Sequence, residues 1–205
     1  MERLAVGVDV GGTNIRVALG DERGRIKARI SERTEKHRGP EGISRQIARN
    51  IRRLIERIGD RRIEGIGIGS AGPLDLKRGG LMKPTNIPYD FVPLVEPLRE
   101  EFDLPVYLLN DCSAAVVGER FFGAGKEHEN LAYITLSTGI GGGIYVDGHL
   151  LIGKDGNATE IGHFTIDCEG RLLCGCGKRG HWEAYCSGNG IPNYVRLLLS
   201  EEDPD

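Results

Sequence analysis

The chain has 205 residues, 39% of them hydrophobic and 28% charged, enough to bury a core in one or two domains. A net charge of −3 offers no bulk attraction to nucleic acid or to an anionic membrane, so neither is expected as a partner. No apolar run approaches the roughly 18 residues of a membrane helix and the N-terminus lacks a signal-peptide profile, so a cytoplasmic protein is expected.

Leu4–Val10, Asn14–Gly20 and Arg25–Ile30 read as a meander of strands, with turns at Gly11-Gly12 and Asp21–Gly24. A helix follows, because Ile43, Ile47, Ile51, Leu54, Ile55 and Ile58 recur at helical spacing. Its other face carries Arg45, Arg49, Arg52, Arg53 and Arg57. With no interleaved aromatic residues, that face reads as solvated or ion-paired, not as a nucleic-acid patch. Ile63–Gly69 and Val106–Leu109 are further strands, and Asp111–Phe122 is a helix. The order βββαβαβα defines an α/β unit spanning residues 1–125. A second unit, residues 126–205, opens with strands Leu131–Leu136 and Gly143–Val146, then a cysteine-containing knuckle, then helices around Trp182–Cys186 and Ile191–Ser200.

Two glycine-rich turns lie between strands: Asp9-Val10-Gly11-Gly12-Thr13-Asn14 and Ser137-Thr138-Gly139-Ile140-Gly141-Gly142-Gly143. Glycine lets the backbone approach an anion and aim several N–H groups at it, which suits phosphate. Strands on both sides, and the lack of a Gly-Lys-Ser/Thr triplet, exclude a P-loop. Gly67-Ile68-Gly69-Ser70-Ala71-Gly72 spells a dinucleotide fingerprint. Pro73 and a polar run follow it where a helix is required, so it reads instead as close packing or as the approach to substrate that the family resemblance given below implies for Gly72 and Pro73.

Five cysteines, with Cys174 and Cys176 one residue apart, favour a reduced compartment and a metal over a disulfide framework. His163, Cys174, Cys176 and His181 are spaced H-x10-C-x-C-x4-H. Four N/S donors suit a closed, tetrahedral, structural Zn²⁺ site. Asp111 sits where a strand gives way to a helix. Asn and Asp are favoured helix caps, so locally this carboxylate reads equally as a cap or as a chemical group.

The ordered set Asp9-x-Gly11-Gly12-Thr13, Asn110-Asp111 with Ala114, Ala115 and Glu119, Thr138-Gly139-Ile140-Gly141-Gly142-Gly143, Glu160-Ile161-Gly162-His163 and Cys174-x-Cys176-Gly177-x-x-Gly180-His181-Trp182-Glu183 resembles the ROK family of sugar kinases and repressors. The resemblance runs from about residue 4 to Gly188. It implies an actin-like ATPase (ribonuclease H-like) fold with two domains around a cleft, and an ATP-dependent hexose kinase, glucose being the first choice of acceptor. It implies Asp111 as general base and Gly72, Thr85, Asn86, Asn110, Asp111, Glu160, His163 and Glu183 as sugar contacts. Asp9, Gly11, Gly12, Thr13, Thr138, Gly139 and Gly141 would face ATP and Mg²⁺. If one His163 nitrogen binds zinc, the other is free for a sugar hydroxyl. In the resembled family the last metal position is usually cysteine; here it is His181. A homodimer is implied by resemblance only.

Two other readings share these motifs. One is a sugar-sensing repressor, which in this family adds an N-terminal helix-turn-helix module; the first strand here begins by Leu4. The other is a non-catalytic sugar-binding protein or fragment, since family members continue beyond Ser200-Glu201-Glu202-Asp203-Pro204-Asp205 with a third glycine-rich motif that holds adenosine and a helix returning to the first domain.

Overall fold

The computed structural model describes residues 2–59, 61–84 and 87–202. β1 (Arg3–Val10), β2 (Asn14–Asp21) and β3 (Ile26–Arg33) form the meander, followed by α1 (Gly42–Ile58) and β4 (Arg62–Ser70). β3 continues past Ile30 because β2 pairs with it as far as Asn14↔Arg33. Next comes a small antiparallel sheet of β5 (Leu74–Asp75), β6 (Gly80–Met82) and β7 (Phe91–Pro93). These strands escape a sequence reading because each is two or three residues long and flanked by Gly or Pro. α2 (Val95–Phe102), β8 (Val106–Asn110) and α3 (Asp111–Phe122) complete this part.

The main sheet has the order β3-β2-β1-β4-β8, with β1, β4 and β8 parallel to one another and β2 antiparallel to β1 and β3. That order is the ribonuclease H-like arrangement of the actin-like ATPases. β1 alternates: Leu4, Val6, Val8 and Val10 are buried, while Gly7 and Asp9 lie on the opposite face. The buried face packs on Ile43, Ile47, Ile51 and Leu54 of α1 and on Leu98 of α2. Each such side chain contributes about 1.5–3 kcal/mol by leaving water. The arginine face of α1 is ion-paired to neighbouring elements: Arg49 and Arg53 reach Glu32 on β3, Arg49 also reaches Glu35, and Arg52 reaches Glu101 on α2.

A second antiparallel sheet, order β11-β10-β9, comprises β9 (Leu131–Leu136), β10 (Ile140–Val146) and β11 (His149–Leu150). α3 contacts β4 and β8 of the first sheet and β9 and β10 of the second, so it joins the two. A 3₁₀ turn at Ile161–His163, the cysteine knuckle, α4 (Trp182–Cys186) and α5 (Ile191–Glu202) follow. No helix among the described residues is long and apolar enough to cross a membrane.

Candidate active site

The first glycine turn is the tip of the β1–β2 hairpin, whose pairing ends at Val10↔Ile15. Thr34, just beyond β3, ties it from behind. Its hydroxyl donates to the Gly11 carbonyl (2.6 Å) and its N–H to the Thr13 carbonyl (3.0 Å). With those carbonyls occupied, the Gly12 and Thr13 N–H groups have no partner among the described residues and remain donors. Gln46 steadies Thr34 in turn. It is 1% exposed, accepts from the Glu35 N–H (2.9 Å) and donates to the Arg33 carbonyl (2.8 Å). Sequence reading missed both residues, although the signal was present: Gln46 is a polar side chain set in the apolar stripe of α1. Asp9 projects from the α3 side of the sheet and pairs with Arg16 across the hairpin (2.6 Å), Arg16 exposed and Asp9 half-buried.

Asp111 stands one strand beyond β4 at the same sheet edge, because β1 and β4 end in register at Val10↔Ser70 and β4 and β8 at Ser70↔Asn110. The Ser70 hydroxyl donates to the Val10 carbonyl (2.9 Å) and fastens this edge. The cap of α3 is Asn110, whose side-chain oxygen accepts from the N–H groups of Cys112 (2.9 Å) and Ser113 (3.4 Å). Asp111 is therefore the first helical residue and an exposed one, with Oδ1 accepting from the Cys112 N–H (2.8 Å). Asp9, Asp111, Cys112 and Thr135 line one groove of about 710 Å³. Burial pushes the Cys112 thiol above its ordinary range, and the charges of Asp111 and Glu160 add to that, against a hydrogen bond to Thr135 that lowers it.

The second glycine segment divides in two. β10 begins at Ile140, so the turn is only Ser137–Gly139, and Gly141, expected to face phosphate, lies within the strand. There the glycines permit close packing. A Cβ on Gly141 would lie 2.6 Å from Cys112 Sγ, and one on Gly142 2.8 Å from Ile161 Cδ1; one on Gly143 would overlap the Cys112 carbonyl. β10 thus lies against the start of α3, beside Asp111. The turn itself is held from behind like the first. The Ser137 and Thr138 carbonyls accept from Gly188 N–H (2.7 Å) and Asn189 N–H (3.3 Å), and the Ile140 N–H donates to Glu183 Oε2 (2.9 Å). The Thr138 and Gly139 N–H groups have no partner among the described residues.

Of the remaining expected sugar contacts, Gly72, Glu160 and His163 lie close to one another. A Cβ on Gly72 would lie 3.9 Å from Glu160 Oε1, which brings that loop against the exposed Glu160. β4 ends at Ser70 and Gly72 leads into β5 with no helix, so the dinucleotide-like spelling has no helix N-terminus behind it. His163 turns Nδ1 towards Cys174 Sγ (3.7 Å) and Nε2 towards Glu160 Oε2 (3.9 Å). Thr85 and Asn86 lie outside the described residues.

His163, Cys174, Cys176 and His181 bring one donor atom each to within 4.8 Å of one another, with Cys176 Sγ 3.3 Å from His181 Nδ1. Burial raises the buried Cys174 thiol, and the Cys176 side chain raises it further, a cost that a cation taking thiolate ligands would offset. Two sulfurs and two imidazole nitrogens at this spacing fit a tetrahedral metal. The knuckle is braced by Asp167, which accepts from the Tyr185 hydroxyl on α4 and from the N–H groups of Glu169 (3.1 Å) and Arg171 (3.0 Å). Those donors, Tyr185 foremost, hold its carboxyl well below the usual carboxylate range.

The family model described as the ROK family matches residues 5–203. A glucokinase of Pyrobaculum calidifontis is 42% identical over 197 residues, covering 96% of this chain and 61% of the relative. The crystal structure of the ROK hexokinase from Thermus thermophilus superposes with a TM-score of 0.84 at 36% identity, over 96% of this chain and 64% of that one. A ROK family glucokinase from Streptomyces griseus, solved in complex with glucose and AMPPNP, gives 0.75 at 38% identity, over 98% and 62%. The chain therefore spans a little over 60% of the length of these relatives.

Proposed function

The chain belongs to the ROK family, and on that premise we propose that it is a hexose kinase that transfers the γ-phosphoryl group of ATP to a hydroxyl of glucose. The observation that carries this reading is the placement of Asp111: exposed on a groove it shares with Asp9, beside Asn110, which caps α3, and on a helix that contacts the second hairpin directly and β4 and β8 of the first sheet, while the tips of both hairpins keep N–H groups with no partner among the described residues. The similar Streptomyces griseus enzyme, with its glucose and AMPPNP, supports the choice of substrates.

Phosphoryl transfer asks for positioning and for neutralised charge. In this reading the N–H groups of Gly12, Thr13, Thr138 and Gly139, with the Thr13 hydroxyl, receive phosphate oxygens, and Asp9 faces the Mg²⁺ that neutralises them. The sugar lies against Gly72, Thr85, Asn86, Asn110, Glu160, His163 and Glu183. Its reacting hydroxyl gives its proton to the Asp111 carboxylate as the oxygen–phosphorus bond forms and ADP departs. Zn²⁺ on His163, Cys174, Cys176 and His181 supplies rigidity and no chemistry. His163 would then offer Nε2 to a sugar hydroxyl while Nδ1 serves the metal. Residues 1–125 and 126–205 act as two domains of a cytoplasmic enzyme.

Asp111→Asn tests the assignment. ADP release with glucose should fall by about 10²–10⁴-fold, while calorimetric glucose binding and the urea midpoint stay those of the parent. Parent-like turnover in the variant would remove Asp111 from the role. A parent chain that binds glucose but releases no ADP would leave a sugar-binding protein in place of a kinase.

A further inference from the structure

Glu183 follows the knuckle ligand His181 by two residues and lies in the first turn of α4. Its carboxylate does not simply face the groove. Oε2 accepts from the Ile140 N–H (2.9 Å), at the first residue of β10, and Oε1 lies 3.7 Å from Cys174 Sγ. There is no slack around it: a Cβ on Gly139 would lie 2.5 Å from Oε2, and one on Gly188 3.0 Å from the Ser137 carbonyl. The segment after α4 supplies the other two ties of the turn, Gly188 N–H to Ser137 and Asn189 N–H to Thr138. Among the described residues, these ties of the turn to other elements all come from α4 and the segment that follows it. α4 is placed in turn by the knuckle, through Trp182 N–H to the Phe164 carbonyl (2.9 Å), the Thr165↔His181 bridge and the Tyr185–Asp167 contact.

From this chain of contacts we propose that Glu183 is a positioning residue that couples the metal knuckle to the second glycine turn, so that loading the knuckle sets how well the Thr138 and Gly139 N–H groups receive a polyphosphate. The proposal rests on the reading of that turn as phosphate-facing and of the four-residue cluster as a zinc site. It adds that metal, lodged on the sugar side, acts on the phosphoryl donor. Without metal, His163, Cys174, Cys176 and His181 are no longer cross-linked, α4 is free to shift, and the Glu183–Ile140 hydrogen bond weakens with it.

Backbone amide exchange measured on the whole chain, stripped by chelator and then reloaded with Zn²⁺, tests the coupling, with calorimetric titration of Mg²⁺-AMPPNP in parallel. Zinc loading should slow exchange at Ile140 by at least about tenfold, the scale of one hydrogen bond to a charged acceptor, and should tighten AMPPNP by a similar factor. Glu183→Ala should exchange rapidly at Ile140 with or without zinc and lose the zinc dependence of AMPPNP binding. Glu183→Gln keeps an acceptor for the Ile140 N–H and should restore both. One zinc per chain, together with Ile140 exchange that ignores both zinc and Glu183→Ala, would overturn the coupling while leaving the metal site intact. A reloaded protein that holds no zinc, or a parent that binds no AMPPNP, would overturn the underlying reading and the coupling with it.

Discussion

Thr34→Val isolates the latch behind the first glycine turn. Valine matches threonine in shape and keeps the N–H that donates to the Thr13 carbonyl, so only the hydroxyl bond to the Gly11 carbonyl is lost. That bond is neutral and Gly11 is partly exposed, so water can replace part of it; the net loss is about 1 kcal/mol. In a chain of this size the corresponding fall in Tm is about 2–4 °C, read as a lower urea midpoint with unchanged slope. Thr34 also decides which groups of the turn face outward. While it holds two carbonyls back, the Gly12 and Thr13 N–H groups are the ones left to donate. If the latched shape is the one that receives phosphate, the same ~1 kcal/mol reappears as about fivefold weaker Mg²⁺-AMPPNP binding. Thr34→Ser, which retains the hydroxyl, should stay close to the parent in affinity. A Thr34→Val protein with parental midpoint and parental affinity would refute the latch.

Gly143→Ala should cost about 1–3 kcal/mol, because its Cβ meets the Cys112 backbone, which cannot rotate away as a side chain could; an unchanged melting temperature would show that β10 and α3 are not packed as described. Metal analysis should find about one zinc per chain, the number one closed four-ligand site takes. Cys174→Ala should release it while the main sheet still unfolds cooperatively, since the apolar cluster around Cys174 and Tyr185 is separate from that beneath β1; substoichiometric zinc in protein purified without chelator would refute the site. Stability should decline in acid. Tyr185 and the backbone donors hold Asp167 below its unfolded value; burial opposes, but Arg25, Lys27 and backbone N–H groups outweigh it at Asp21. A depressed folded pKa gives stability that is full above the unfolded value of about 4 and is lost as pH falls below it. Tyr185→Phe and Asp21→Asn should each flatten the acid limb of a stability–pH profile, and a limb unchanged in both would refute the assignment.

Much of the architecture was legible because periodicity carries it. The bounds of α3, β9 and α4 follow from the sequence as read, and β1, β2 and α1 differ from it by a residue or so at an end. What escaped was whatever depends on contacts between distant segments. The β5–β7 sheet is too short to show a period. Thr34 lies 23 residues from the carbonyl it latches, and nothing local marks it. Gly141, Gly142 and Gly143 were ambiguous because glycine is demanded both by an anion and by a close neighbour, and sequence does not separate the two needs. Here the neighbour, Cys112 for two of them and Ile161 for the third, explains them. The four knuckle residues were legible from spacing alone, since few other arrangements place two Cys and two His so close in sequence.

The two turns share a logic that neither motif states. Each has its carbonyls drawn back by donors from elsewhere, Thr34 for the first and Gly188 with Asn189 for the second, leaving two successive N–H groups without a partner among the described residues. An isolated glycine turn samples many shapes, and ordering its backbone costs about 1–2 kcal/mol per residue. Holding the turn from behind moves that cost from ligand binding to folding, so the anion meets donors already aimed. The support differs in a way that matters for control. Thr34 is flanked by Arg33 and Glu35, whose backbones are held by the buried Gln46 of α1. Glu183, Gly188 and Asn189 hang from a knuckle that carries the four clustered side chains proposed to hold zinc. On the proposed reading of both turns as phosphate-facing, the second is therefore the one through which metal supply would act.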